Sequence, residues 1–90
     1  MSDVRDNPDQ QRFELVEQGH LAFAEYRIEG EVITFTHTVV PSALQGMGVG
    51  SRLIHGALTD VRSHGLKVRA QCTFVAAYIA KHPEWQDLRV

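Results

Sequence analysis

Residues 43–58, ALQGMGVGSRLIHGAL, set Gly46, Gly48 and Gly50 at alternate positions immediately ahead of an amphipathic pattern. Glycine is costly at a helix start, because it loses the most backbone freedom on folding. Two readings account for that cost. A strand, a glycine-rich turn and a helix start form an anion site, since the first-turn amides point outward and the helix dipole is positive there. Without Cβ atoms at 46, 48 and 50 a phosphate can reach hydrogen-bonding distance, and Ser51 and Arg52 add a hydroxyl and a guanidinium. Alternatively, the glycines make only a tight turn that packs the helix against the sheet. The two common nucleotide motifs do not fit. Gly50 is followed by Ser51 and Arg52 rather than Lys and Ser/Thr, and no glycine stands three residues after Gly48 or Gly50.

Other side chains with chemical potential are few. Cys72 is the single cysteine, so no intrachain disulfide forms. The histidines at 20, 37, 55, 64 and 82 include no pair at three- or four-residue spacing, so no metal site is expected. Cys72 continues an apolar strand face and reads equally as a small buried hydrophobe or a thiol at a site. Tyr78 shares a helical stripe with Phe74, Val75 and Ile79, which suits core packing as well as catalysis. His37, between Phe35 and Val39 on one strand face, reads as a core histidine or as a base.

The elements that must position these groups emerge from periodicity. Residues 1–9, rich in Asp, Asn and Pro, read as a loose tail. RFELVEQ and HLAFAEYRIEG alternate with period two around the turn signal Gly19, and EVITFTHTVV is dense in β-branched residues. These make a three-stranded antiparallel meander. Pro41 ends the third strand. Val49, Leu53, Ile54, Ala57, Leu58 and Val61 recur at helical spacing until Gly65, LKVRAQC gives a fourth strand, and residues 74–79 a second helix closed by Pro83. The class is mixed α+β and α/β, in the order β-β-β-α-β-α, with the third and fourth strands parallel across a crossover.

Ninety residues suffice for one domain, read here as residues 1–90. A net charge of −2 argues against a nucleic-acid partner. No apolar run approaches a membrane span, and MSDVRDNPDQ lacks the apolar core of a signal peptide, so a cytoplasmic location without membrane contact is expected.

Gln45-Gly46-Met47-Gly48-Val49-Gly50 resembles the Q/R-x-x-G-x-G/A signature of the GNAT N-acetyltransferase superfamily. HTVVP, GVGS, CTFVAAYI and HPEW are similar to its minimal, YjdJ-type branch, and the likeness spans roughly residues 11–88. The resemblance implies that acetyl-CoA is the cofactor and that the loop from Gln45 to Arg52 grips its pyrophosphate. It implies that Thr38, Val39 and Val40 offer main-chain groups to the pantetheine arm, and that the fourth strand splays away to open a cleft with Cys72 beside the thioester. Tyr78 stands where family members carry a general acid to the leaving thiolate. Related minimal proteins often hold an acidic residue at the position of Val39, which cannot accept a proton; His37, Cys72 or a water would then serve as base.

Acetyl transfer from acetyl-CoA to an amine is the leading expectation, either direct or through Cys72. A protein lysine, an N-terminus or a small polyamine fits a shallow site. A non-catalytic CoA-binding module is the alternative, and an interaction domain whose glycines only turn the chain is a third.

Overall fold

The computed structural model describes residues 3–90. Five strands, β1 (Arg5–Asn7), β2 (Arg12–Glu17), β3 (His20–Glu29), β4 (Val32–Val39) and β5 (Lys67–Ala70), form one sheet in chain order. Neighbours are antiparallel except β4 and β5, which are parallel and joined by helix α1 (Val49–Ser63). Helix α2 (Thr73–Lys81) comes after β5, and a 3-10 segment, Pro83–Leu88, lies at the end of the chain.

Pairing aligns Leu15 with Ala22, Phe13 with Ala24, Tyr26 with Phe35 and Ile33 with Val68, so one sheet face collects the apolar side chains. The buried stripe of α1, Val49, Leu53, Ile54, Ala57, Leu58 and Val61, belongs to the same core, as do Val75, Tyr78 and Ile79 of α2. Trp85 and Leu88 complete it. The other face of β2 and β3 carries Arg12, Glu14, Phe23 and Glu25, all half-buried, and the exposed Val16.

Two features of the first four strands depart from the sequence reading. The segment taken as a loose tail contributes β1, whose Arg5 and Asn7 pair with Glu14 and Arg12. Its polar composition hides a strand that pairs with β2, where Asn7 Nδ2 also donates to Glu14 Oε2 at 3.1 Å, and that is tied to β3 by the Tyr26 hydroxyl, which donates to Asp6 Oδ1 at 2.6 Å. Met1 and Ser2, also assigned to that tail, lie outside the described residues. The second departure is a β-bulge in β4. Tyr26 faces Phe35 and Glu25 faces His37, leaving Thr36 as an extra residue.

Burial, reinforced by the Asp6 carboxylate, holds the Tyr26 hydroxyl well above the ordinary tyrosine pKa. The neutral hydroxyl is therefore favoured in the fold, and its contribution is complete below the unfolded pKa and lost as pH rises through the folded one. Tyr26→Phe should lower stability by about 1.5 kcal/mol in urea unfolding at neutral pH, the scale of a hydrogen bond to a charged group. The variant should also lose less stability than the parent above pH ~10. An unchanged urea midpoint would mean that the tether to β1 contributes nothing.

Candidate functional site

At the C-terminal end of the sheet, β4 and β5 part. Their pairing runs from Val32 opposite Lys67 to Phe35 opposite Ala70. The Phe35 carbonyl then accepts both the Gln71 amide, at 3.0 Å, and the Cys72 amide, at 2.9 Å. With that acceptor shared, the ladder ends: β4 continues to Val39 while the other chain segment turns into α2. The fourth strand, expected to run to Cys72, stops at Ala70.

A cleft of about 510 Å³ lies at this end. Thr38, Val39 and Val40 form one wall, and Leu44, Gln45, Gly46, Gly48, Val49, Gly50, Ser51 and Phe74 form the rest. The first turn of α1 is suited to an anion. Its first internal bond runs from the Arg52 amide to the Gly48 carbonyl, so the Val49, Gly50 and Ser51 amides have no partner within the helix. No acidic side chain stands in that turn.

The three glycines do two different jobs. Gly46 and Gly48 have φ of 79° and 71°, the left-handed region, and a Cβ on either would meet nothing within 4 Å. Their requirement is backbone shape. Gly50 is helical, and a Cβ there would lie 2.6 Å from Cζ of Phe74. Its missing side chain seats an aromatic ring.

The remaining loop residues divide similarly. The Gln45 side-chain amide donates to the Val40 carbonyl at 2.9 Å, tying the loop to the end of β4. Met47 is exposed and off the cleft wall. The Arg52 guanidinium pairs with Glu17 and borders a second groove, of about 650 Å³, together with Leu15, His55, Thr59 and Tyr78. Ser51 touches both cavities.

The bulge at Thr36 re-aims the last residues of β4. His37 leaves the core face and stands exposed opposite Glu25, whereas Thr38, opposite the buried Ala24, turns inward. There its hydroxyl lies 3.3 Å from the thiol of Cys72, a buried residue at the N-cap position of α2. Thr38 and Cys72 thus meet at the splay. Tyr78 does not join them. Its ring stacks on His82 at 4.0 Å and its hydroxyl lies 3.5 Å from His55 Nδ1, so it opens on the α1 groove. Burial raises its pKa and keeps it protonated.

Leu44 and Phe74 are cleft residues that the sequence reading does not single out as ligand contacts. A glycine inside a helix signals a close neighbour, but Phe74 reads from the sequence as one more member of the apolar α2 stripe.

Residues 12–88 match the family model of the GCN5-related N-acetyl-transferases. Among solved structures, the chain is similar to the solution structure of a GCN5-like candidate N-acetyltransferase from Staphylococcus aureus. The two are 28% identical with a TM-score of 0.75, and the match covers 100% of this chain and 91% of the other.

The division among the glycines is testable by urea unfolding without ligand. Gly48→Ala forces a left-handed alanine and should cost about 1–2 kcal/mol. Gly50→Ala gains helix propensity of about 1 kcal/mol but displaces the Phe74 ring, so the net change should be small. In a Phe74→Ala background, Gly50→Ala should become stabilising by about 0.5–1 kcal/mol. Additivity of the two substitutions would remove the ring as the reason for glycine at 50.

Proposed function

Because the chain belongs to the GCN5-related N-acetyltransferase family, we propose that it moves an acetyl group from acetyl-CoA to an amine. The observation that carries this reading is the splayed end of β4 and β5, with unpartnered α1 amides at its mouth. Those amides suit a pyrophosphate, as do the bare backbones of Gly46 and Gly48. Beyond the last β4–β5 pair, the backbone of Thr38, Val39 and Val40 can hydrogen-bond an extended amide-containing arm. Acetyl-CoA supplies an activated thioester, which a neutral amine attacks.

The Thr38 hydroxyl and the Cys72 thiol are the polar side-chain groups at the splay, and they favour two routes. In the direct route Thr38 orients the reacting carbonyl and Cys72 packs beside it. In the covalent route the Cys72 thiol attacks the thioester carbonyl, its proton passing to the departing CoA sulfur, and the amine then displaces Cys72 from the acetyl group. His37, exposed on β4, supplies an imidazole nitrogen as the base for the incoming amine. For Tyr78 to protonate the departing thiolate, its hydroxyl must turn away from His55. The acceptor class is a protein lysine, an N-terminus or a small polyamine, consistent with the exposed His37. A CoA-binding module without turnover is the second reading. Val39 favours it, since valine at that β4 position supplies no carboxylate base.

Thermal shift with CoA, acetyl-CoA and ATP side by side tests the binding step. CoA at 100 times its dissociation constant should stabilise the fold by roughly 2.7 kcal/mol. No shift at millimolar CoA overturns the reading, and binding without turnover over a broad amine panel selects the module.

Cys72→Ala should keep CoA affinity in both routes and abolish transfer only in the covalent one. Intact mass after exposure to acetyl-CoA without amine decides between them by the gain or absence of one acetyl group. Tyr78→Phe should change turnover less than tenfold, because its hydroxyl is engaged with His55. A loss of about 10²-fold or more, the scale of general acid catalysis, would give Tyr78 that role.

A further inference from the structure

Phe74 is the most exposed of the seven aromatic residues: it is 41% exposed, whereas Phe13, Tyr26, Phe35, Tyr78 and Trp85 are buried and Phe23 is half-buried. Exposure of so large an apolar ring forgoes hydrophobic stabilisation that Val75 and Ile79, on the same helix, do obtain. The ring is nonetheless held in place. It rests on the bare backbone of Gly50, with Cζ and both Cε atoms within 3.3 Å of where a Cβ would stand.

That position sets an aromatic group beside the first-turn amides of α1, inside the same cleft. Amides for a phosphate with an aromatic surface alongside suit a nucleotide, whose phosphate takes the amides while its base stacks on the ring. The opposite wall, Thr38 to Val40, is backbone-rich and suits the pantetheine arm instead.

We propose that Phe74 is the stacking platform for the adenine of CoA, and that Gly50 is glycine in order to seat it. This rests on CoA binding at the loop cleft and extends it by assigning the nucleotide half of the ligand to a specific side chain. The ring gives the site a preference for adenine-containing acyl carriers over a bare phosphopantetheine.

Calorimetric titration with CoA, adenosine 3′,5′-bisphosphate and 4′-phosphopantetheine tests the assignment in the parent, Phe74→Ala, Phe74→Tyr and Gly50→Ala, each first checked for an intact fold by its melting temperature. Phe74→Ala should weaken CoA and the bisphosphate by about fivefold or more, the low end of one base–aromatic stack. Phosphopantetheine should bind within twofold of the parent value. Phe74→Tyr should retain parent affinity for all three. Gly50→Ala, which keeps the ring but displaces it, should behave as Phe74→Ala does. Losses for CoA and phosphopantetheine with the bisphosphate unchanged would assign the ring to the pantetheine arm, equal losses for all three would assign it to the shared phosphate region, and either result would overturn the proposal. Unchanged CoA affinity in Phe74→Ala would overturn it while leaving CoA binding standing. Failure of the parent to bind any of the three would overturn both.

Discussion

The Phe35 carbonyl, shared between the Gln71 and Cys72 amides, decides where the sheet stops being a sheet. Up to that carbonyl, β4 and β5 are ordinary parallel neighbours, and beyond it β4 runs on without one. The open backbone of β4, the start of α2 at Cys72, and the gap bounded by the glycine loop share this single origin. The bulge one residue later has a matching effect on side chains. By inserting Thr36, it exchanges the faces of the last β4 residues, bringing Thr38 inward to Cys72 and sending His37 to solvent.

Helix packing imposes the second constraint. α1 and α2 both begin at the end where the strands separate, and at that end they touch through a glycine rather than through two side chains. Absence of a Cβ at 50 lets the α2 ring lie on the α1 backbone and brings an aromatic surface next to unpartnered amides. Farther along, Tyr78, His55 and His82 fill the space between and behind the helices with polar aromatic contacts.

Most of the architecture was legible in the sequence because it rests on periodicity. The alternation in residues 12–39 and the 3.6-residue repeat after Gly48 are strong, local signals, and they place β2, β3, β4 and α1 directly. β1 was not legible, since its residues are polar and part of its hold on the sheet is a contact between Asp6 and Tyr26, twenty residues apart. The bulge was invisible for a related reason. Nothing in ITFTHTVV says that Thr36 is extra, so strict alternation assigns His37 to the wrong face. At the site, the glycine loop was readable as a motif, but the separate reasons for its glycines were not. Gly46 and Gly48 answer to their own dihedral angles, while Gly50 answers to a residue 24 positions away, at 74.

Gln45 has a kinetic consequence. Its side chain fastens the loop to the Val40 carbonyl just past β4, and Leu44 before the turn and Val49 after it are each only 1% exposed, so the loop is anchored on both sides of its turn. Strand end and loop therefore behave as one rigid body. A ligand arriving there meets a preformed surface, and little ordering entropy opposes its capture. Association is then governed by diffusion and orientation, without a closing segment to wait for. Differences among related ligands should accordingly reside in how long each stays, not in how fast each arrives.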